Sequence, residues 1–154
     1  MPLHVVLVEP EIPMNAGNVA RTCACTGLRL HLIQPVGFAP DDRRLRRAAM
    51  DYWYLAAVEF HNSFDEFVAA HPGCRLFFAV PRGGLRYTDA CYRPGDCLVF
   101  GRESTGLPEE LLERYPGTAV HIPMLARRRS LNLATAVGVV AFEALRQLGF
   151  PGLE

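Results

Sequence analysis

The chain has 154 residues, of which half are apolar and 21% are charged, and its sixteen acidic residues balance its sixteen basic ones. This composition excludes an intrinsically disordered chain and predicts one domain with a sizeable core. The zero net charge excludes a uniformly basic nucleic-acid coat, although a local basic patch is compatible with it.

The cysteines and histidines give no sign of a metal centre or of a disulfide framework. The five cysteines are odd in number and form no C-x-x-C pair, and no His or Cys group has zinc-site spacing. We therefore expect no metal, and we expect reduced thiols in a cytoplasmic protein. The N-terminus lacks a secretory signal pattern, and no apolar run reaches the ~18–20 residues that cross a bilayer.

The first part of the chain alternates apolar runs with turn signals. Residues 3–8 predict a strand that is apolar enough to be buried on both faces. Residues 9–13 predict a loop, because two prolines oppose a regular helix there. A helix is predicted over roughly 18–26, and a second strand is predicted over 30–33.

The middle of the chain has clear capping signals. The aspartates at 41–42 can cap a short helix that runs to residue 49. A weak strand is predicted near 55–60. The capping box at 63–66 begins a further helix, which the Pro-Gly pair at 72–73 ends.

The C-terminal half continues the alternation of strands and helices. Strands are predicted over 75–80, 96–100 and 119–122, and Pro108 begins a helix with two glutamates in its first turn. This pattern of elements predicts an α/β fold.

The last predicted helix, about 132–148, is apolar on nearly all sides, since only Thr135 and Glu143 are polar in its middle. Such a helix is buried on all sides. In so small a domain only one side can pack on the sheet, so the other side needs a partner, most simply a second copy of the chain. Gly138 would allow a close helix approach. We therefore predict a homodimer.

Three polar segments follow predicted strands, where ligands collect in open α/β sheets. Segment 15–22 suits an anion or a ribose, although an isolated segment of this kind is more often an ordinary helix cap. Segment 98–108 places Glu103 between two glycines, where it accepts from ribose hydroxyls or belongs to a plain turn. Segment 122–136 carries an arginine triplet, which suits phosphate contacts or a solvated loop. None of the three matches a dinucleotide or ATP-binding glycine motif.

Together the three segments form a recognisable pattern. In order and spacing, N-x-G-N-x-x-R-T, F-G-x-E-x-x-G-L-P and I-P-M followed by R-S-L-N-L-A-x-A-V-G-V resemble the three motifs of the SPOUT RNA methyltransferases. The chain looks like the minimal subfamily that methylates the ribose 2′-oxygen of the wobble nucleotide, a cytidine or modified uridine, in certain tRNAs.

The resemblance covers nearly the whole chain and carries several expectations. It implies one SPOUT domain over residues 1–154, with a mostly parallel sheet flanked by helices and a C-terminal trefoil knot. It also implies a homodimer, a tRNA substrate and S-adenosyl-L-methionine as the cofactor. The positions that match the family's cofactor pocket are Ala79, Val80, Gly101, Glu103, Ile122, Met124, Ser130 and Leu131.

The resemblance also implies the catalytic group, which comprises Arg21 and Asn15 with Ser130 and Asn132 in support. The family assigns activation of the ribose oxygen to the arginine. Because an arginine rarely gives up its proton, we expect Arg21 to hold the alcohol or its phosphate and to stabilise the developing oxyanion.

Contacts with RNA are expected from the domain itself. The candidates are Arg43, Arg44, Arg46, Arg47, Arg127, Arg128 and Arg129. Tyr52 and Trp53 can stack on a base, although a core or interface role is more common for such aromatic residues.

Other interpretations stay open at this point. One is a SPOUT enzyme that acts on another RNA such as rRNA, and another is a non-catalytic RNA-binding dimer with the same fold. The joint presence of Asn15, Arg21, Ser130 and Asn132 argues against lost activity. A nicotinamide oxidoreductase is disfavoured, because the glycine-rich fingerprint is missing.

Overall fold

The computed structural model describes residues 1–154 and contains a seven-stranded, wholly parallel sheet with the strand order β3-β2-β1-β6-β4-β7-β5. The strands are β1 His4–Val8, β2 Arg29–Ile33, β3 Glu59–His61, β4 Leu76–Ala79, β5 Leu85–Arg86, β6 Cys97–Phe100 and β7 Thr118–His121. The helices are α1 Pro13–Thr26, α2 Arg43–Ala49, α3 Phe64–Ala70, α4 Glu109–Arg114 and α5 Leu133–Gln147, with a 3-10 turn at Met50–Tyr52. The predicted α/β fold with a parallel sheet is confirmed. The chain contains no helix with both the length and the apolar character that crossing a membrane requires.

The sheet buries both of its faces. Because successive side chains of a strand point to opposite faces, Val5 and Leu7 of β1 pack with α1 and α5. Val6 and Val8 point the other way and pack with α3 and α4. The prediction that the first strand is buried on both faces is confirmed, and each face has its own apolar core.

Helix α1 begins five residues earlier than predicted. Pro13 occupies its first turn, where a proline has no intrahelical hydrogen bond to lose and its fixed φ suits the helix. The predicted loop is confirmed over residues 9–12, but Pro13 already belongs to the helix, and the predicted helix start at residue 18 is wrong. As a consequence Asn15 and Gly17 lie inside the helix rather than in a loop before it.

Gly17 allows α1 and α2 to cross at short range. A Cβ atom at this position would overlap the carbonyl oxygen of Leu45 and would lie 2.8 Å from the Cβ of Ala48. The backbone of α2 occupies the space that a side chain on α1 would need. The glycine of the first segment therefore serves helix packing.

Replacing Gly17 by alanine is expected to lower the free energy of unfolding by roughly 1–3 kcal/mol, because the two helices have to separate. Urea unfolding measures the change. Asn18→Ala is the matched control, since Asn18 is exposed on the same helix and its loss should change stability by less than about 0.5 kcal/mol. An unchanged unfolding midpoint for Gly17→Ala would contradict this account of the packing.

The remaining elements follow their predicted caps. The side chain of Asp42 accepts from the backbone N–H of Arg44 at 2.8 Å, and that of Ser63 accepts from Glu66 at 3.1 Å. The weak strand predicted near 55–60 is the three-residue edge strand β3. The two-residue strand β5 has no counterpart in the prediction, because so short a strand leaves no periodic pattern.

Helix α5 is buried on one side only within a single chain. Its inner side consists of Leu133, Val137, Val140, Ala141, Ala144 and Leu145. Its outer side keeps Thr135 exposed and leaves the ring of Phe142 47% exposed. The prediction that one side packs on the domain is confirmed. That a partner covers the apolar outer side stays a prediction.

Cys74 and Cys97 are joined by a disulfide, with a Cα–Cα distance of 6.5 Å. The prediction of reduced thiols is wrong for this pair. Cys97 begins β6 and Cys74 precedes the adjacent strand β4, so the pairing of these strands brings the two residues together. Of the free cysteines, Cys23 is buried, and burial raises the pKa of its thiol to about 12.

Candidate active site

A cleft of about 760 Å³ opens at the carboxyl ends of β4, β6 and β7. These three strands are neighbours in the sheet, so the loops that leave them converge at one edge. The volume falls in the range of about 300–1,000 Å³ that is typical of small-molecule sites.

The structure brings together most of the residues predicted for the site. The predicted cofactor residues that line the cleft are Ala79, Val80, Gly101, Glu103, Ile122, Met124, Ser130 and Leu131, which is the full predicted set. Asn15 and Asn132 of the predicted catalytic group also line it. Arg21 does not.

The carboxylate of Glu103 holds the start of α1. Its Oε1 accepts from the backbone N–H of Glu11 and its Oε2 from that of Ile12, both at 2.8 Å. The first N–H groups of a helix have no partner inside the helix, so a carboxylate at this place is favourable. Glu103 thus holds the residues at the start of α1 across 91 and 92 residues of sequence, and its contact with ribose hydroxyls stays a prediction.

A chain of amide hydrogen bonds links all three segments. Asn15 donates from Nδ2 to Glu103 at 3.1 Å, and its Oδ1 accepts from Nδ2 of Asn132 at 3.0 Å. Asn132 in turn caps α5, because its Oδ1 accepts from the backbone N–H of Thr135 at 3.2 Å. Each amide therefore has one orientation that satisfies both neighbours. Asn15 is buried, so this network fixes its position at the wall of the cleft.

A second contact joins the same two segments at the surface. The carboxylate of Glu11 accepts from both the backbone N–H and the hydroxyl of Ser104, at 2.9 and 2.7 Å. These bonds hold the pKa of Glu11 below its usual value. Two carboxylates therefore connect the loop after β6 to the residues before α1. Glu103 of the loop accepts from residues 11 and 12, and Glu11 accepts from Ser104 of the loop.

Gly101 lies where the loop after β6 folds back on itself. A Cβ atom here would overlap the backbone of both Gly106 and Leu107. Only a glycine permits this close return of the chain, and the return shapes the floor of the cleft.

Arg21 lies outside the cleft. It is six residues beyond Asn15 on α1, which turns its side chain by about 240° from the buried face. Arg21 is exposed, and its guanidinium lies 5.8 Å from the ring centroid of Tyr52. Within one chain the structure does not bring Arg21 to the other predicted catalytic residues.

Two arginines of the cleft were not predicted to lie there. Arg102 and Arg129 both line it, and the Nε of Arg102 is buried with no hydrogen-bond partner. Nη2 of the same guanidinium lies 4.0 Å from Oε2 of Glu9. The sequence feature that could have identified Arg102 as a residue of the cleft is its position between Gly101 and Glu103.

The predicted RNA-binding arginines form two groups. Arg43 and Arg47 are exposed on α2, whereas Arg44 pairs with Asp42 at 3.0 Å and Arg46 stacks on Tyr54 at 4.8 Å. The second group, Arg127 and Arg128, is exposed in the loop before α5.

Of the neighbouring aromatic residues, Trp53 is buried in the core, as the more common role predicts, and Tyr52 is half-buried beside Arg21. Tyr54 is 77% exposed and is the aromatic residue that the sequence interpretation missed.

Known proteins resemble the whole chain. The family model described as the SpoU rRNA Methylase family matches residues 2–142. A protein of Burkholderia ambifaria, named tRNA (cytidine(34)-2′-O)-methyltransferase, is 51% identical over 152 residues, which cover 97% of each chain. A solved structure described as giving insights into the 2-OH methylation of C/U34 on tRNA has 53% identity and a TM-score of 0.90, covering 96% of both chains. An AdoMet-bound rRNA methyltransferase from Sinorhizobium meliloti has 29% identity and a TM-score of 0.85, covering 96% of this chain and 57% of that one.

Proposed function

This chain belongs to the SpoU methylase family, and we propose that it transfers a methyl group from S-adenosyl-L-methionine to the ribose 2′-oxygen of the wobble nucleotide, a cytidine or uridine, of tRNA. The hydrogen-bonded chain from Glu103 through Asn15 to Asn132 carries the proposal, because it draws the three family segments around one cleft. The names of the full-length relatives favour tRNA over rRNA as the substrate.

The residues of the cleft fit S-adenosyl-L-methionine. The cofactor combines a sulfonium centre on an apolar carbon chain with a purine nucleoside and a charged amino acid group. Ile122, Met124 and Leu131 supply apolar walls, and the buried Nε of Arg102 is a donor suited to a carboxylate. We propose that these residues, with Ala79 and Val80 at the end of β4, hold it.

When bound, the cofactor supplies a methyl group activated by its sulfonium. The chain's own task is to present the ribose oxygen and to stabilise negative charge on it. We assign the second task to the guanidinium of Arg21, whose planar set of donors suits an oxyanion, although it lies outside the cleft of its own chain. Asn15, Ser130 and Asn132 would orient the ribose at the mouth of the cleft, which lowers the entropic cost of the transfer.

The assembly that we propose is a homodimer with α5 at its interface. The outer side of α5 carries the exposed ring of Phe142, and Leu131 just before the helix is 40% exposed. An apolar helix face of this kind is typical of a subunit interface. Light scattering that shows only the 17.1 kDa monomer at micromolar concentration would exclude it.

We further propose that residues 1–154 form one SPOUT domain with the trefoil knot of the family. The order of β6, β4 and β7 supports this, because β6 inserts between β1 and β4 before α5 returns to pack against α1. A tRNA substrate also places the protein in the cytoplasm.

We expect the arginines of α2 to provide a large part of the affinity for tRNA. Replacing both Arg43 and Arg47 by alanine should weaken binding and reduce the slope of log K against log salt by about two, since each phosphate contact releases about one counterion. Filter binding over a salt series measures both effects.

The control for this pair is Arg114→Ala, an exposed arginine on α4, on the opposite face of the sheet from α1. Its variant should bind tRNA like the wild type. Binding of the double variant with an unchanged salt slope would exclude α2 as the RNA surface.

The experiment that tests the function is incubation with total tRNA and methyl-labelled S-adenosyl-L-methionine, followed by mass mapping of the labelled nucleoside. We expect a 2′-O-methylated cytidine or uridine at the wobble position. A label on a base, or on rRNA but not on tRNA, would overturn the assignment. Binding of S-adenosylhomocysteine without any turnover would instead indicate a non-catalytic RNA-binding dimer.

A further inference from the structure

Four of the five histidines meet at the β3-β2-β1 side of the sheet, whereas the cleft lies at the ends of β4, β6 and β7. They are His4 in β1, His31 in β2, His61 in β3 and His71 just after α3. Their sequence separation conceals the cluster, and the strand register creates it. In the parallel ladder His31 lies opposite Glu59, and His61 follows two residues later, so the three side chains share one face.

This face is the one covered by α3 and not the one covered by α1. The centroid of the His31 ring lies 4.9 Å from that of the Phe67 ring and 5.0 Å from that of the His71 ring. The cleft, by contrast, is formed at the ends of β4, β6 and β7. The histidine cluster therefore belongs to a different part of the molecule from the proposed methylation site.

Three ligand atoms of the cluster form a triangle. Nδ1 of His31 lies 3.0 Å from Nε2 of His61, and Oε2 of Glu59 lies 3.6 Å from the first atom and 3.8 Å from the second. Zn²⁺ bound tetrahedrally at about 2.0–2.1 Å would have neighbouring ligand atoms about 3.3–3.4 Å apart. One of the three distances is shorter than this value and the other two are longer, so small side-chain movements are sufficient to bring all three to it.

The carboxylate in particular is placed for a shared ion. At 3.6 and 3.8 Å from the two ring nitrogens, Oε2 of Glu59 is too far for a hydrogen bond with either ring. It nevertheless approaches both at once. A cation between the three atoms would satisfy this arrangement.

The surroundings of His31 suit a metal ligand. Its second nitrogen, Nε2, lies 2.9 Å from Nδ1 of His4, so His31 can donate there while Nδ1 keeps its lone pair inside the triangle. Ligating histidines almost always have such a partner for the other ring nitrogen.

We propose that His31, His61 and Glu59 bind one Zn²⁺ ion per chain, with water in the fourth position. Two imidazoles and a carboxylate are a ligand set for zinc, whereas Mg²⁺ and Ca²⁺ prefer oxygen alone. The side chain of Glu59 is 49% exposed, which gives the ion a path to solvent. The bound ion would fasten the short edge strand β3 to β2.

The test uses the full chain without a histidine tag, stripped with a chelator and titrated with Zn²⁺ in a calorimeter. We expect one site per chain. At a free zinc concentration about a hundred times the Kd, we expect the Tm to rise by roughly 5–10 °C. Titration with Co²⁺ should give the visible absorption of a tetrahedral site, and this reading does not depend on enzyme activity.

The variants His61→Gln and Glu59→Ala should each weaken zinc binding at least about tenfold and, at the same zinc concentration, reduce the rise in Tm to about half of the wild-type rise or less. They are preferred to a change at His31, which is fully buried and whose variant is at risk of not folding. The matched control is His121→Gln, because His121 is the histidine outside the cluster and bonds to the carbonyl of Gly83. Its variant should bind zinc like the wild type.

Three results would overturn the proposal. The first is a wild-type chain that takes up no zinc at micromolar concentration, which would leave the cluster as a hydrogen-bonded ladder of neutral rings. The second is equal zinc binding by wild type and His61→Gln. The third is loss of binding in His121→Gln alone, which would place the ion elsewhere.

Discussion

Replacing Arg21 by alanine is expected to slow methyl transfer by roughly 10²–10³-fold, the usual cost of losing one group that stabilises a developing oxyanion. Binding of S-adenosylhomocysteine should stay at the wild-type level, because Arg21 does not line the cleft. Single-turnover methylation and calorimetry measure the two quantities. Arg114→Ala, on the other face of the sheet, is the matched control and should transfer methyl groups at the wild-type rate.

The lysine variant separates two roles of Arg21. If a fixed positive charge is sufficient, Arg21→Lys should keep substantial activity at neutral pH. A lysine variant that folds and binds RNA but transfers no methyl group would indicate that the geometry of the guanidinium, or a proton transfer, is needed instead.

The exposed position of Arg21 also invites a subunit-mixing experiment. In a dimer of one Arg21→Ala chain and one chain with a defective cleft, a cis-acting arginine leaves both sites dead. An arginine that serves the partner's cleft restores one of them. Recovery of activity on mixing two inactive variants would therefore show that each site is built from two chains.

Glu103→Gln is expected to lower the free energy of unfolding by roughly 2–4 kcal/mol and to abolish most activity. The amide keeps the shape but loses one acceptor oxygen and the charge, so it cannot satisfy the N–H groups of Glu11 and Ile12 together with Asn15. Urea unfolding and binding of S-adenosylhomocysteine measure the loss. Glu109→Gln is the control, because Glu109 is exposed in the first turn of α4. A Glu103→Gln enzyme with wild-type stability and turnover would contradict the capping role.

Much of the fold could be predicted from local patterns. The strands and the caps at Asp42 and Ser63 follow from apolar runs and short-range polar signals. The start of α1 could not, because Pro13 breaks a helix in its interior but suits the first turn, and the sequence does not say which applies. The missing cap is supplied by Glu103, which is distant in sequence.

The candidate site, too, could be predicted from the sequence only in part. The resemblance to the family motifs was sufficient to select the eight predicted cofactor positions, and all of them line one cleft. Contacts that depend on strand order were not visible, and the Cys74–Cys97 disulfide and the His31–His61 pair are both of this kind. Each joins residues that lie on, or just before, adjacent parallel strands. These residues are too far apart along the chain for a local sequence pattern to reveal the contact. The position of Arg21 outside the cleft of its own chain likewise became clear only from the folded chain.

The clamp from Glu103 to the first turn of α1 has a thermodynamic consequence. The carboxylate belongs to the loop that shapes the cleft, yet its bonds end on the two residues just before the helix that carries Arg21 and on Asn15 within that helix. The proposed cofactor cleft and the proposed RNA surface are therefore connected through these hydrogen bonds, so a ligand that shifts the loop also shifts the helix. Linkage then works in both directions: by whatever factor an occupied cleft changes the affinity for RNA, bound RNA changes the affinity of the cleft by the same factor.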